Sequence, residues 1–227
     1  MKKQPFYFEI KDLVTQFISA FDDVVISRHN RDRSVDKKIN VRYVYAPKQR
    51  VIHDLTNKAK HITLPVIAVT ITSVNRDSSR VFNKLAGSHH PRVDDYAGEQ
   101  ITNNTDFLKP PVPIDIGVSM SILTRYQSDM DQILSNFIPY TNPYVVISWT
   151  IPDGVLQKKQ EIRSQVLWDG SINMSYPDNL SSTTQYRVSA DAGFTIKGWL
   201  FKDQSDPSGQ IYKVTSNFTP VVDIEEL

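Results

Sequence analysis

The chain has 227 residues, with 26 basic against 25 acidic side chains, a formal net charge of +1 and no cysteine. That balance excludes the strongly basic profile of a general nucleic-acid binder, and the missing thiols exclude a disulfide framework and a thiolate metal centre. Length and a hydrophobic content of 40% fit one large domain around a single core. No apolar run approaches the roughly 18 residues of a membrane span, and the opening MKKQPFYFEI has no apolar stretch of the kind a signal peptide needs. The expectation is a soluble chain used in a cytosol-like compartment.

In chain order, Leu13, Val14, Phe17, Ile18 and Phe21 recur at helical spacing, which predicts an amphipathic helix over Lys11–Phe21. Val24–Ser27 reads as a short strand. The polar, mixed-sign run from Arg28 to Lys38 is a loop, either a charged contact surface or a solvated hairpin tip. Ile39–Tyr45 is a second strand with Ile39, Val41, Tyr43 and Tyr45 on one face. Pro47 can open a short helix with Val51, Ile52 and Leu55 inside. Ile62–Val74 is a third strand, and Pro65 within it points to an edge position or a bulge near its beginning. Residues 77–111 are the least regular part, with Gly87, Pro91, Gly98 and Pro110-Pro111. A connection this long is usually functional, so it is read as an extended arm or long hairpin that reaches a partner, against the plainer reading of a surface loop.

The next stretch organises the rest. From Ile114 to Ile122, Ile114, Ile116, Val118, Met120 and Ile122 alternate with Asp115, Gly117, Ser119 and Ser121, the period of a half-buried strand. At Ser128 the period changes: Met130, Ile133, Leu134 and Phe137 form a helical stripe. Ser128 is the expected N-cap, Asp129 and Asp131 are explained by the helix dipole alone, and Pro139 is expected to stop the helix. Tyr144–Trp149 is another strand. Gln160–Trp168 alternates, Trp168-Asp169-Gly170-Ser171 looks like a hairpin turn, and Ile172–Tyr176 would be its return strand. Pro177–Thr184 reads as a loop and Gln185–Phe201 as a long strand, with Gly193 and Gly198 marking bulges. Ile211–Phe218 can form one more strand, and the chain ends on the acidic PVVDIEEL. No composition break divides the chain, so residues 1–227 are read as a single domain with a C-terminal extension over 203–227.

Catalytic chemistry is thin. There is no phosphate-cradling glycine loop, no nucleophile elbow and no thiol. His89 and His90 are adjacent and point apart in an extended chain, and His29, His53 and His61 have no partner at metal-ligand spacing. Neither a metal nor another cofactor is expected, and the chain is not read as an enzyme. Aromatic residues near element ends, among them Tyr126, Tyr140, Tyr144 and Trp199, suit protein interfaces instead.

The segment ILTRYQSDMDQILSNFIPY resembles the strand-to-helix stretch of the tail terminator, or tail sheath stabilisation and completion protein, of contractile-tailed bacteriophages. The matching pieces are Pro113-Ile114, Leu123-Thr124-Arg125-Tyr126, Asp129-Met130, Gln132-Ile133 and Pro139-Tyr140. VRYVYAPKQ (Val41–Gln49), LPVIAVTITSVNRDSSRVFNK (Leu64–Lys84) and FTIKGWLF (Phe194–Phe201) follow in the same order as in that family. The loop from Asn83 to Pro111 has no clear counterpart, and PVVDIEEL stands where the family continues with a Pro-rich tail.

The resemblance implies an α/β (α+β) fold, a mixed, mostly antiparallel sheet with two main helices, Lys11–Phe21 and Ser128–Phe137, packed on one side. It implies a homohexameric ring that caps the head-proximal end of the tail, ends the tube, holds the last sheath ring and docks the neck. The partners would be other copies of the chain, the tail tube protein, the sheath protein and a neck or head-completion protein. DNA would only pass through the lumen, and no membrane is involved. The alternative is another head–tail connector, neck or baseplate structural protein. Candidate docking residues are Arg125 and Tyr126 at the strand–helix turn, Arg76 and Arg80 at the root of the arm, and Tyr212, Val214 and Phe218 in the last strand.

Overall fold

In the computed structural model, residues 6–57, 63–81, 87–91, 105–153, 155, 160–176 and 187–202 are described, with the backbone alone for 88–91 and 105–108. Among them the chain order is α1 (Glu9–Ser19), β1 (Val25–His29), β2 (Val35–Asn40), β3 (Arg42–Tyr45), α2 (Lys48–Asn57), β4 (Val66–Arg76), a 3₁₀ turn (Ser78–Arg80), β5 (Ser88–Pro91), β6 (Thr105–Leu108), β7 (Val112–Thr124), α3 (Gln127–Tyr140), β8 (Val145–Thr150), β9 (Glu161–Ser175) and β10 (Val188–Leu200).

The alternation in β7 is what builds the molecule. Six strands lie in the order β3-β4-β7-β10-β9-β8, with β3 parallel to β4 and every other pair antiparallel. Ile114, Ile116, Val118, Met120 and Ile122 all face one side and are at most 3% exposed. On that side α1 contributes Leu13 and Phe17, the turn that follows it contributes Phe21, and α3 contributes Met130, Ile133 and Phe137, in one continuous core; the first helix thus ends at Ser19, two residues before the expected Phe21. The fold is therefore the mixed, mostly antiparallel α+β sheet expected, with its two main helices on one face. The third helix covers part of the other face: Val51 and Leu55 of α2 pack on Val66, Ala68 and Leu123. These alternate with the residues under α1 and α3, so the six-stranded sheet is covered on both faces there.

Several local expectations are corrected. Ile39–Tyr45 divides at Val41: β2 pairs with β1 in a separate ribbon, while β3 joins the main sheet. The polar tip narrows to the turn between β1 and β2, where the Asn30 N–H donates to Ser34 O at 2.9 Å. Pro65 does not mark an edge, because β4 lies between β3 and β7; the proline stands just before the first paired residue, where its missing N–H is not needed. The irregularity of β4 falls later, between Ile71 and Ser73.

Trp168–Ser171 is not a hairpin turn. β9 runs through it, with Trp168 opposite Phe194 and Ile172 opposite Ala192. Asp169, Gly170 and Ser171 thus face Gly193 alone, and Gly170 takes φ 81 to absorb the surplus. The bulge expected at Gly193 is present, and the Asp169 carboxylate lies where a side chain at Gly193 would go. No bulge occurs at Gly198, which pairs in register with Ile114; a Cβ there would sit 2.5 Å from Leu13 Cδ1, so the glycine lets α1 approach the sheet.

The long connection does contain a hairpin. Ser88↔Leu108 through Pro91↔Thr105 pair as β5 and β6, with 92–104 between them outside the described residues. The expected loop at Pro177–Thr184 and strand at Ile211–Phe218 also lie outside the described residues.

Candidate docking surfaces

The candidate residues fall at opposite ends of β7. Eleven steps of an extended strand separate Ile114 from Arg125, roughly 35 Å.

At the C-terminal end, β7 turns directly into α3. Tyr126 occupies the N-cap position with extended backbone and no side-chain cap, and Ser128 lies inside the helix, so it does not cap. Pro139 does not stop the helix either. It stands in the last turn, where one lost N–H costs little, and the chain leaves at Thr141, whose N–H donates to Phe137 O. Arg125 and Tyr126 are both exposed, and two guanidinium groups approach the Tyr126 ring, with Arg28 Cζ at 4.5 Å and Arg125 Cζ at 5.7 Å from its centroid.

Arg28 reaches this place from β1. Its Nη2 donates to Asp129 Oδ2 at 2.8 Å. Beside it, Gln132 Oε1 accepts from the Ser27 N–H at 2.8 Å and Gln132 Nε2 donates to Ser27 O at 2.9 Å. The β1–β2 ribbon is thereby clipped to the first turns of α3. Asp129 is only 2% exposed, so the dipole alone does not account for it: it is the buried half of an ion pair. Sequence spacing could not show this, because the partners are a hundred residues apart. Burial pushes the Asp129 carboxyl above its ordinary range, and the Arg28 charge opposes that shift.

The sign of the pH dependence follows. A carboxyl raised by folding disfavours the folded state while it is ionised, and this cost disappears as pH falls through its folded pKa. Arg28→Ala removes the opposing charge. Arg28 is one-third exposed and partly screened, so the variant is expected to lose about 1–2 kcal/mol at neutral pH. The deficit should shrink as pH is lowered towards the carboxylate range; urea denaturation at about pH 7 and about pH 4.5 measures both values.

At the N-terminal end, Arg76 closes β4 opposite Ile114 and is exposed. Arg80 is different, because its Nε and Nη2 are engaged inside the chain. Nε donates to Asp77 Oδ2 at 2.8 Å, and Nη2 donates to Ile114 O at 2.6 Å and to Asp115 Oδ1 at 3.0 Å. The guanidinium also lies 4.9 Å from the Trp199 ring centroid. Lys197 Nζ bridges the same two carboxylates, Asp115 at 2.6 Å and Asp77 at 3.4 Å. Hydrogen bonds from Ser79 and then Arg80 hold the Asp77 carboxyl well below the usual carboxylate range. This network ties β4, β7 and β10 together where the chain departs towards β5. Asp77, Asp115 and Lys197 were not legible as a group, since register between distant strands brings them together.

Tyr212, Val214 and Phe218 lie outside the described residues. Among the described residues, no group of three or more His, Asp and Glu could hold a metal ion, and no helix is long and apolar enough to cross a membrane.

A profile of the T4-like virus Myoviridae tail sheath stabiliser family matches residues 6–226. The chain is 30% identical over 110 residues to the tail completion protein gp15 of Enterobacteria phage T4. That alignment covers 48% of this chain and 39% of the relative, so the similarity spans well under half of its length. Among solved structures, a sheath/tube terminator of an extracellular contractile injection system, PVC, in its extended state aligns with 98% of this chain and 66% of its own, at 14% identity and a TM-score of 0.41. That likeness is too loose to carry an argument. The family match spans nearly the whole sequence, and the chain belongs to the T4-like tail sheath stabiliser family, structural proteins of contractile bacteriophage tails.

Proposed function

We propose that this chain forms a closed homohexameric ring at the head-proximal end of a contractile tail. There it ends the tube, holds the last ring of sheath and offers its other side to the neck of the head, while DNA only passes through the lumen. The observation that carries this reading is the pair of unlike surfaces at the two ends of β7 in a chain of the sheath stabiliser family. One end presents Arg125 and Tyr126 on a rigid strand–helix turn. The other presents exposed Arg76 beside an arm whose root is fixed by Arg80. A protein that sits between two different structures needs two such faces, and rigid elements hold them at a set separation.

The arm and the segment 211–218, with Tyr212, Val214 and Phe218, are the natural means of reaching a neighbour by strand addition. No catalytic step is needed for this role; complementary shape and charge suffice.

The test is assembly without the protein. Tails grown without it are expected to be overlong or to shed their sheath, and the purified protein mixed with tails should form sixfold rings by negative stain. Tails of normal length that keep their sheath and join heads would overturn the reading. Binding to a portal or baseplate hub, in place of the open tube end, would favour a connector or baseplate role.

A further inference from the structure

Among the described residues the six-stranded sheet ends at β8, and no described strand pairs with its outer edge. Its sequence, VVISWT, contains no charge and no proline, and it pairs with β9 from Val145↔Val166 to Thr150↔Glu161 with no shift in register. Proteins normally blunt such edges with charge, proline, bulges or shortness. Three other described edges show those devices. β3 has only four residues and begins with Arg42, the flank of β9 beyond β8 carries the Gly170 bulge, and the outlying β2 carries Lys37 and Lys38. In β8, Val145, Ile147 and Trp149 are buried, while Val146, Ser148 and Thr150 are exposed. An open groove of about 270 Å³ runs between this strand and α1, lined by Asp12, Thr15 and Gln16 on the helix side.

The described chain leaves at the same place. β8 and β10 are both antiparallel to β9, so Thr150 and Leu200 lie at the same end of the sheet. The Phe201 ring packs 6.1 Å from Trp149, and its N–H donates to Glu9 Oε1 at 3.1 Å. Beyond it, Ile211–Phe218 reads IYKVTSNF, with no glycine or proline. Tyr212, Val214, Ser216 and Phe218 alternate with Ile211, Lys213, Thr215 and Asn217, so the first row is apolar but for one serine and the second polar but for its leading isoleucine. Set beside β8, the first group continues the buried row of Val145, Ile147 and Trp149, and the second continues the exposed row.

We infer that the β8 edge accepts residues 211–218 of a second copy of this chain, each subunit donating its segment to the next. The inference rests on the closed-ring reading above. A head-to-tail ring needs, on every subunit, a donor and an acceptor that differ, and the edge and the segment are such a pair. A segment that paired with its own β8 would fill the edge and join nothing.

The absence of cysteine makes the test direct. Thr215→Cys is combined in turn with Val146→Cys, Ser148→Cys or Thr150→Cys, all on the exposed row, so that one of the three suits whichever register forms. Thr215→Cys with Tyr45→Cys on β3 is the control. The full chain is oxidised under conditions where negative stain shows sixfold rings, then run on a non-reducing gel. At least one of the three pairs is expected to give a ladder of linked subunits that the control lacks. Rings whose only disulfide is within a subunit, or rings with no linkage above the control, overturn the inference and leave the ring standing. If no rings form with the unsubstituted chain, the ring reading itself falls, and this inference with it.

Discussion

Phe194→Ala is expected to lower the free energy of unfolding by about 3–5 kcal/mol, a large share of the stability of a typical domain. Phe194 is 2% exposed in β10. Its ring centroid lies 5.2 Å from Phe17, 5.6 Å from Phe21 and 5.5 Å from Phe137, so one side chain joins both α1 and α3 to the centre of the sheet. Removing it opens a cavity among neighbours that are anchored on α1, the turn after it and α3 and cannot all collapse inwards. Phe8→Ala is the control: that ring is half exposed, and its loss should stay within about 0.5 kcal/mol. Urea denaturation of the two variants measures the difference. A cost for Phe194→Ala below about 1 kcal/mol would contradict the packing.

Arg80→Ala is the second large effect, expected to cost about 2–3 kcal/mol. The guanidinium is 20% exposed, and its loss takes a donor from the Ile114 carbonyl and from the Asp77 and Asp115 carboxylates, leaving Lys197 shared between the two carboxylates and Ser79 on Asp77. Unpaired acceptors in a part-buried site are penalised more than the bonds themselves are worth. The pH dependence has a definite sign. The Asp77 carboxyl is depressed by folding, so its stabilising contribution is present above the ordinary carboxylate range and is lost as pH falls through its folded value. The gap between wild type and Arg80→Ala should therefore narrow in acid. Arg125→Ala, at an exposed position, should leave stability close to wild type and act on attachment to tails alone, whereas Arg80→Ala should lower stability. Thermal melts and a tail-binding assay on the same two variants separate the effects. Unchanged stability for Arg80→Ala would remove the network from its assigned role.

Much of the scaffold was legible in local pattern. The alternation Ile114–Ile122 and the stripe Met130–Phe137 place one strand and one helix because each period reports a single face of a single element, and that face is buried whatever it meets. The same holds for Leu13, Phe17 and Phe21. Absence of thiols and of a charge bias also followed from composition alone.

Where the elements meet was decided by the tertiary structure. Trp168-Asp169-Gly170-Ser171 carries the positive-φ signature shared by hairpin turns and bulges, and only pairing of both flanks with β10 makes it a bulge. Gly198 looked like another, yet it is small because Leu13 presses on it from α1. Asp129 resembled a helix-dipole residue until Arg28 arrived from β1, and Arg80 read as a candidate docking residue at the root of the arm, whereas Asp77 and Asp115 hold it inside the chain. In each case the local chemistry permits two outcomes of similar energy, and contacts between residues far apart in the chain select one. The sequence by itself determined which faces are buried and which segments are regular; the folded sheet alone decided register, and register decided which charges are partners and which remain exposed.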